Sequence, residues 1–278
     1  MVDIAIIIVN YKTEDDVLNL LIDLRKDLAS SNLKTQVVVV DNTPGNGMWL
    51  DVKNGFPEVK YLLQDYNWGF GKAQNIGIQS VEAKYYFILN PDISFGESKN
   101  VLDELYEFME THSKLGLIGP KLLNLDGSLQ YSCFRFPSFW IPFYRRSKAG
   151  EWRRNKKKVD KYLMKDFEHN KTQPVDWLIG SALFIRAEAL RQAGPAYRQA
   201  GGFDENFFMY FEDCDLCRRF WEHHWPVYYY HEVSLIHRHS KASAKVQGFW
   251  QSMIKNPLTR THIISWIKYM WKWRFMKL

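Results

Sequence analysis

The sequence predicts an α/β protein with a mostly parallel central sheet and helices on both faces. Along residues 4–89, apolar runs of strand length alternate with polar segments, some of helical periodicity. The apolar runs have no regular polar interruption, which is typical of strands buried on both faces of a parallel sheet. With 278 residues, 46% of them hydrophobic and 16% aromatic, the chain has enough apolar material for one large domain.

The first part of the chain supplies the parallel strands. Apolar runs predict four of them, at 4–9, 37–42, 59–63 and 85–89. The segments between them predict helices at 17–28, where apolar residues recur at i, i+3, i+4 and i+7, and within 67–80. Ligands bind at the carboxyl ends of strands in such sheets. Polar or aromatic residues follow three of these ends: Tyr11, Asp41 and the tripeptide Asn90-Pro91-Asp92.

The second part is predicted to be less regular. A helix at 101–109 is followed by a hairpin, because the turn pair Asp126-Gly127 lies between two apolar segments. The basic stretch 145–165 is predicted to be a mobile excursion. Three further elements are predicted: a strand at 175–186, a short strand at 226–230 and a histidine-rich turn at 235–240.

The net charge of +6 is unevenly distributed. Residues 233–278 contain nine Lys/Arg and no Asp/Glu, and residues 145–165 contain ten Lys/Arg against two acids, which leaves a net charge of −11 on the remainder. This pattern predicts an anionic surface as partner. Three cysteines are too few for a disulfide framework, so we expect a reducing compartment. Asp3 argues against a signal peptide, and no apolar run approaches the ~20 residues of a membrane span.

An acidic cluster follows a run of aromatic residues in the segment 201–220. Its acids are Glu212, Asp213 and Asp215. The aromatic side chains are expected to pack inward and to carry the acids into a cleft. A carboxylate in a partly desolvated cleft has the raised proton affinity that a general base needs. The alternative is an ordinary acidic helix start, which the helix dipole favours.

Two separate residues suggest a divalent cation site. Asp92 follows a buried strand directly, and carboxylate oxygens suit Mg²⁺ or Mn²⁺. His237 could complete the pair, although Asn-Pro-Asp is also an ordinary turn and a turn histidine can simply form a hydrogen bond. A zinc site at Cys214 and Cys217 with His223 and His224 is disfavoured, because their i, i+3 spacing in a predicted helix is ordinary core packing.

The strand ends also suggest a nucleotide site. Asp41 could accept a hydrogen bond from the ring N–H of a base, and Tyr11 could stack on that base. A turn-forming Asp is an equally good interpretation of Asp41. The glycines of 67–72 would let backbone N–H groups approach a phosphate at a helix start, although a plain glycine turn has the same pattern.

Seven motifs in one order make the chain resemble a known family. They are VNYKTEDDV, VVDN, NWGFGKAQNIGI, NPD, WLIGSALFIR, GGFDENFFMYFEDCDLCRRF and LIHRHSKAS, and they cover residues 3–243. The chain resembles the inverting family 2 glycosyltransferases with a GT-A fold, most closely their bacterial rhamnosyltransferase-like branch. Two departures are an Asn at position 90, where the family has the first acid of Asp-x-Asp, and a lengthened link at 192–200.

The resemblance implies a role for each candidate residue. Asp213 would be the catalytic base, and Asp92 and His237 would bind Mn²⁺ or Mg²⁺. The nucleotide-sugar donor would contact Val9, Tyr11, Asp41, Gly71, Lys72, Asn90 and Asp92. The acceptor would contact Trp177 and Glu212.

The same resemblance implies the reaction. An acceptor hydroxyl would displace the diphosphate at the anomeric carbon of dTDP-L-rhamnose, in the synthesis of a cell-surface polysaccharide on a glycan or a polyprenyl-diphosphate-linked glycan. Galactofuranose, glucose and galactose donors stay open, as does a catalytically degenerate glycan-binding scaffold. A sugar nucleotidyltransferase needs a glycine-rich basic loop after the first strand and a dinucleotide-dependent oxidoreductase needs G-x-G-x-x-G there, and this chain has neither.

The chain is expected to divide into a GT-A domain, 1–245, and a basic, aromatic helical tail, 246–278. Within 258–278, apolar residues of helical spacing alternate with Lys and Arg. A basic amphipathic helix of this kind lies on an anionic membrane surface, which predicts a cytoplasmic protein on the inner face of the cytoplasmic membrane. The alternative is a helix packed on the body or on a homodimer partner. Nucleic-acid binding is disfavoured, because the aromatic residues lie on a tail helix rather than on a sheet face.

Overall fold

Alternating strands and helices make up the computed structural model, which describes residues 1–45, 47–195, 201–238 and 256–275. The strands are β1 Val2–Asn10, β2 Thr35–Asp41, β3 Lys60–Leu63, β4 Ala83–Leu89, β5 Ile93–Ser94, β6 Leu117–Leu123, β7 Leu129–Gln130, β8 Cys133–Phe134, β9 Gln173–Pro174, β10 Trp177–Leu178, β11 Ala182–Arg186 and β12 Val227–His237. The α-helices are α1 Glu14–Leu28, α2 Trp49–Gly55, α3 Phe70–Gln79, α4 Val101–Thr111, α5 Ile141–Arg146, α6 Arg153–Tyr162, α7 Ala187–Gln192, α8 Glu212–Glu222 and α9 Pro257–Lys272.

The main sheet is mostly parallel, as predicted. Its strand order is β3-β2-β1-β4-β11-β6-β12-β5. β1 pairs in parallel with both β2 and β4, and β6 pairs in parallel with β12. β11 lies antiparallel between β4 and β6 and joins the two parallel parts. The predicted hairpin is confirmed, because β7 pairs antiparallel with β6 across the turn at Gly127.

The sheet is covered on both faces, and β1 shows why. Ile4, Ile6 and Ile8 belong to the core shared with α1, α2 and α4, whereas Ala5, Ile7 and Val9 belong to the core shared with α3, α7 and α8. Successive strand residues point to opposite faces, so a strand between two helical layers needs apolar residues at every position. Each buried Ile contributes about 1.5–3 kcal/mol relative to an exposed one. This sandwich brings the carboxyl ends of β1, β2 and β4 to one edge.

Two elements differ from the prediction. The expected strand at 175–186 is two strands in different sheets, β10 paired with β8 and β11 paired with β4. Between them, the Gly180 N–H donates to a carboxylate of α8 instead of to a neighbouring strand, which breaks the ladder. The expected turn at 235–240 is wrong for its first residues, because β12 continues to His237, where it pairs with Ile93 of β5. Residues 239–240 lie outside the described part.

The basic stretch 145–165 is largely helical, since it contains the end of α5, a 3₁₀ turn at Lys148–Glu151 and α6. Its mobility stays a prediction. The tail helix is confirmed as α9, and residues 246–255 and 276–278 of the predicted tail lie outside the description. α9 packs on the body, the alternative interpretation of the tail, with Tyr269 and Trp273 buried. None of the helices in the described ranges is long and apolar enough to cross a membrane.

Candidate active site

The acidic cluster lies in the first turn of α8, and an unusual backbone turn before the helix sets its orientation. Tyr210 and Phe211, directly before the helix, have φ angles of +72° and +67°. Left-handed backbone costs about 1–3 kcal/mol at a bulky residue and persists where packing enforces it. Here the ring of Phe211 packs 5.4 Å from that of Tyr269 on α9, and Phe203 and Phe207 are buried below. Phe207 and Phe211 pack inward, as the sequence predicts, and fix where the first turn of α8 points. The same prediction is wrong for Phe208, which is 44% exposed, and Tyr210 is only partly buried.

The three acids of this turn have different environments. Asp215 is fully buried, and its oxygens accept hydrogen bonds from Arg219 and Trp273 at 2.9 Å each. Glu212 is 5% exposed, and burial together with the charges of Asp213 and Asp215 raises its pKa well above the ordinary value. Burial therefore favours the uncharged form of Glu212, and Asp215 is committed to internal partners. Neither is suited to act as a base.

Asp213 is the acid of this turn that suits a general base. Its side chain is partly exposed, and burial raises its pKa to about 6. Oδ2 accepts from the Gly180 N–H at 2.8 Å and Oδ1 from the Cys214 N–H at 2.7 Å, and both bonds hold the pKa down against burial. The carboxylate is ionised at pH 7, fixed in orientation, and still basic enough to accept a proton.

The broken strand at 179–181 connects Asp213 with the strand end that carries Asp92. Gly180 binds Asp213, and the carbonyl oxygen of its neighbour Ser181 accepts from the Asn90 N–H at 2.9 Å. Asp92 follows two residues later. A Cβ on Gly180 would lie 3.4 Å from the Phe70 ring and 3.5 Å from Asp213 Oδ2. These are ordinary van der Waals distances, so Gly180 lies in direct contact with both Asp213 and the first residue of α3.

Asp92 and His237 lie together at this edge. His237 Nε2 is 3.3 Å from Asp92 Oδ1, and His237 Nδ1 is 2.6 Å from the side-chain oxygen of Gln130. A carbonyl oxygen only accepts, so Nδ1 donates to Gln130 and Nε2 faces the carboxylate of Asp92. A cation or a proton between Nε2 and the carboxylate would stabilise this close approach. A histidine whose other ring N–H binds a carbonyl is the usual arrangement of a metal ligand.

The pair fits a divalent cation that is completed by other oxygens. Adjacent ligands of an octahedral cation at about 2.1 Å lie about 3.0 Å apart, close to the distance between Asp92 and His237. Over the residues that the structure covers, no group of three or more His, Cys, Asp or Glu side chains could hold a metal. Two protein ligands leave positions for diphosphate and water, the arrangement that Mg²⁺ favours in nucleotide sites.

The predicted nucleotide-base contact at Asp41 is buried and already occupied. Asp41 Oδ1 accepts from Asn10 Nδ2 at 2.9 Å and from the Thr43 N–H at 3.0 Å, and Tyr61 donates to Oδ2. A base could bind this carboxylate only if Tyr61 or Thr43 moved. Tyr11 follows β1 and is 44% exposed, so its ring face is available for stacking. Val9 lies one residue before the end of the same strand, with 9% exposure.

The glycine turn before α3 packs against the acidic segment. Gly69 has φ +80°, and a Cβ there would lie 2.1 Å from the carbonyl oxygen of Phe208. A Cβ on Gly71 would lie 3.2 Å from Phe203 Cβ. These glycines permit close packing of two segments, which supports the plain-turn interpretation at Gly71. Lys72 is one residue further on and lies 3.5 Å from the centre of the Trp68 ring.

The predicted acceptor residues are both largely buried. Trp177 is 8% exposed, its indole N–H donates to the Arg135 carbonyl at 3.0 Å, and its ring packs 4.8 Å from that of Phe134. Trp177 therefore packs in the core of the protein, and its contact with an acceptor stays a prediction. Glu212 Oε2 is buried and forms no hydrogen bond within the described structure.

Three functional features are absent from the prediction. They are the Gly180 N–H that holds the base, the Gln130 oxygen that orients His237, and the contacts of Asp215 with the C-terminal helix. The Asp126-Gly127 turn was a usable signal for Gln130, because the hairpin places β7 beside β6 and β6 pairs with β12. The other two features depend on contacts between residues 33 and 58 positions apart, which no local pattern reveals.

Comparison with known proteins agrees with this geometry. The family model described as Glycosyl transferase family 2 matches residues 5–191, more than half of the chain. The N-acetylglucosaminyl-diphospho-decaprenol L-rhamnosyltransferase of Mycobacterium tuberculosis is 28% identical over 237 residues, which cover 80% of this chain and 74% of that one. The rhamnosyltransferase WbbL of Escherichia coli is 28% identical over 232 residues, which cover 78% and 76%.

Solved structures share the fold. The crystal structure of residues 1–349 of TarS from S. aureus superposes with a TM-score of 0.55 at 15% identity, over 94% of this chain and 65% of that chain. The same fragment in complex with UDP gives 0.54 at 16% identity, over 95% and 65%. At this identity the likeness concerns the fold alone, and this chain spans just under two thirds of the TarS fragment.

Proposed function

This chain belongs to glycosyl transferase family 2, and from that premise we propose that it transfers L-rhamnose from dTDP-L-rhamnose with inversion. The proposed acceptor is a glycan or a polyprenyl-diphosphate-linked glycan in cell-surface polysaccharide synthesis. The observation that carries the proposal is Asp213, a basic and oriented carboxylate connected through Gly180 and Ser181 to the edge that holds Asp92 and His237. The names of two relatives support rhamnose as the sugar.

Asp213 accepts the proton of the acceptor hydroxyl in this proposal. The acceptor oxygen forms a bond to the anomeric carbon while the bond from that carbon to the diphosphate breaks, and the diphosphate leaves with the electron pair. Attack from the side opposite the leaving group inverts the configuration. Because a diphosphate leaves without protonation, one carboxylate base is sufficient, unlike the pair in a glycosidase.

Asp92 and His237 would hold the cation, with Mn²⁺ or Mg²⁺ as candidates. A divalent cation bound there supplies positive charge to the leaving diphosphate. Gln130 accepts a hydrogen bond from Nδ1 and so orients the ring with Nε2 toward Asp92, where Nε2 would serve as the second protein ligand. Asn90 contributes no charge beside Asp92, which leaves one carboxylate fewer than in an Asp-x-Asp pair.

A panel of nucleotide sugars tests the proposal. Each is added with Mn²⁺ while thermal stability is recorded, because a bound ligand raises stability by mass action. Release of nucleoside diphosphate with a polyprenyl-diphosphate-linked acceptor is measured in parallel. We expect dTDP-L-rhamnose to give the largest shift and turnover. Another sugar ranking first would correct the donor, and binding without any turnover would indicate a glycan-binding scaffold.

The outer face of α9 is the proposed membrane contact on the cytoplasmic side. Three large apolar side chains recur along this face at helical spacing and are 53–68% exposed: Ile264, Ile267 and Trp271. Phe275, three residues beyond the end of the helix, is 85% exposed. Exposed Arg260, Lys268 and Arg274 are interspersed with them. Apolar and basic residues on one exposed helix face suit an anionic lipid surface.

Co-sedimentation with vesicles tests this contact. A double variant, Ile267→Ser with Trp271→Ser, should lose binding to vesicles that contain phosphatidylglycerol. Leu50→Ser, an equally exposed residue on α2, should keep it. Binding of the double variant at the level of the unmodified protein would contradict a membrane role for this face.

A further inference from the structure

The C-terminal helix reaches the catalytic helix through one buried carboxylate. Asp215 lies on the same turn of α8 as Asp213 and has no solvent exposure. Its Oδ2 accepts from Arg219 Nε at 2.9 Å. Its Oδ1 accepts from Trp273 Nε1 at 2.9 Å and lies 2.7 Å from Lys272 Nζ. Lys272 and Trp273, at the end of α9, thus both bind the Oδ1 atom of Asp215.

Lys272 also joins this turn to the segment before it. Its Nζ lies 2.7 Å from Asp204 Oδ2, in the segment that packs over Gly71 at the start of α3. Asp204 and Asp215 are 5% and 0% exposed at their side chains, so their charges need neutralising partners. Lys272 and Arg219 supply two positive charges against two negative ones. Arg219 also donates to the carbonyl oxygens of Ala193 and Gly202.

We propose that Lys272 and Trp273 are positioning residues for the catalytic base, so that sugar transfer requires the C-terminal helix docked against α8. This inference rests on the proposed function of Asp213. Neither residue touches the reacting atoms. They hold Asp215, and through the first turn of α8 they set the place and the electrostatic surroundings of Asp213.

Loss of Lys272 should change the titration of the base. Removing the charge of Lys272 makes the surroundings of Asp204 and Asp215 more negative by one unit, two residues along α8 from Asp213. An extra charge within about 10 Å shifts a pKa by about one unit at an effective dielectric constant near 20. The shift is upward, because a negative charge disfavours the ionised carboxylate. The other titratable groups around Asp213 are Glu212, Cys214 and Cys217 on α8, Tyr162 at the end of α6, and Arg145 beside Tyr162.

The test uses the full chain with dTDP-L-rhamnose, Mn²⁺ and the lipid-linked acceptor. Lys272→Met keeps the stem and removes the charge, and Trp273→Phe keeps a ring and removes the N–H. We expect kcat to fall by at least about tenfold in each, with the KM for the donor within about twofold. The acidic limb of the pH profile should move up by about one unit in Lys272→Met and return toward its original position in Lys272→Arg.

Two matched variants provide the controls. Lys84→Met removes a lysine that pairs with Glu110 at 2.6 Å at the amino end of β4. Trp225→Phe removes an indole N–H that donates to Gln192 at 3.0 Å. Both should keep the kcat and the pH profile of the unmodified protein.

Two outcomes would overturn the inference. One is that Lys272→Met and Trp273→Phe keep the kcat and pH limb of the unmodified protein. The other is that the activity of both variants falls only in proportion to the folded fraction, with no movement of the limb in Lys272→Met, which is what a purely structural role predicts. If the unmodified protein transfers no sugar at all, the proposed function fails instead, so the two failures are distinguishable.

Discussion

Replacing Asp213 with Asn should change activity and the pH dependence of stability together. Burial raises the pKa of Asp213 to about 6 in the folded protein, against an ordinary value of 3.8. A base with this pKa is about 90% ionised at pH 7 and about 10% ionised at pH 5. The kcat/KM of the unmodified enzyme should therefore fall about tenfold per pH unit below 6. In Asp213→Asn, kcat at pH 7 and above should be lower by about 10²–10⁴-fold, and the difference should narrow below pH 6, where the base of the unmodified enzyme is itself protonated.

The stability effect follows from the same pKa. A carboxyl group whose folded-state pKa is raised binds its proton more tightly when folded, so it stabilises the fold at low pH. That stability is lost as pH rises from about 4 through 6. At 1.36 kcal/mol per pKa unit, the loss between pH 4 and pH 8 is about 2–3 kcal/mol. The variant has no titrating group there, and so it lacks this loss.

Asp213→Asn should also lower the free energy of unfolding by an amount that does not depend on pH, which separates it from the effect of the pKa. Both Asp213 oxygens accept main-chain N–H groups, from Gly180 and Cys214. The amide of Asn can accept at only one end, so one N–H loses its partner at a cost of about 1–3 kcal/mol. This cost displaces the stability curve of the variant without changing its slope.

Urea unfolding from pH 4 to pH 8 measures both effects. The free energy of unfolding of the unmodified protein should fall relative to that of Asp213→Asn by about 2–3 kcal/mol across this range. Parallel curves, or a kcat/KM that stays constant from pH 7 down to pH 5, would refute a raised pKa at this carboxylate.

Three further substitutions have defined outcomes. Gln130→Leu removes the oxygen that orients His237. The affinity for Mn²⁺, measured by calorimetry in the presence of nucleoside diphosphate, should therefore fall about 10–100-fold, and an unchanged affinity would argue against a metal at Asp92 and His237. Gly69 and Gly127 both have a positive φ, but only at Gly69 would an added Cβ also clash with a neighbour, the Phe208 backbone. Gly69→Ala should therefore lower the melting temperature more than Gly127→Ala, where no atom lies within 4 Å of the added Cβ, and equal effects would contradict the close packing. Glu212→Gln should leave turnover near that of the unmodified protein, because Glu212 is not the base. Burial raises the pKa of Glu212, so the unmodified protein gains stability at low pH that the variant lacks, and the free energy of unfolding of the variant should fall less from pH 4 to pH 8; parallel stability curves would contradict a raised pKa at Glu212.

The parallel part of the sheet is predictable from the sequence for a clear reason. Its strands are apolar at nearly every position, because helices cover both faces, and the polar residues that follow them mark the edge where ligands bind. The aromatic segment before α8 is predictable in part, since Phe207 and Phe211 pack inward but Phe208 is exposed. The resemblance then supplied a role for Asp213 that its structural environment suits.

The features that the sequence does not predict depend on hydrogen bonds between residues far apart in the chain. The segment 175–186 is apolar almost throughout, so local pattern predicts one strand, yet the bond from Gly180 to Asp213 divides it. The spacing of apolar and basic residues in the tail helix does not distinguish a membrane surface, a partner protein or the body of the same chain as its contact. Contacts of Lys272 and Trp273 with Asp215 join the inner face of α9 to the body, and this leaves the outer face for the proposed membrane contact.

The central claim is most directly tested by the product formed from dTDP-L-rhamnose, Mn²⁺ and a polyprenyl-diphosphate-linked acceptor. The unmodified protein should yield a glycoside with the anomeric configuration opposite to that of the donor. Asp213→Asn should yield at least about a hundredfold less product per unit time, with donor binding intact. Undiminished synthesis by the variant, or a product that retains the configuration of the donor, would contradict a single displacement with Asp213 as base.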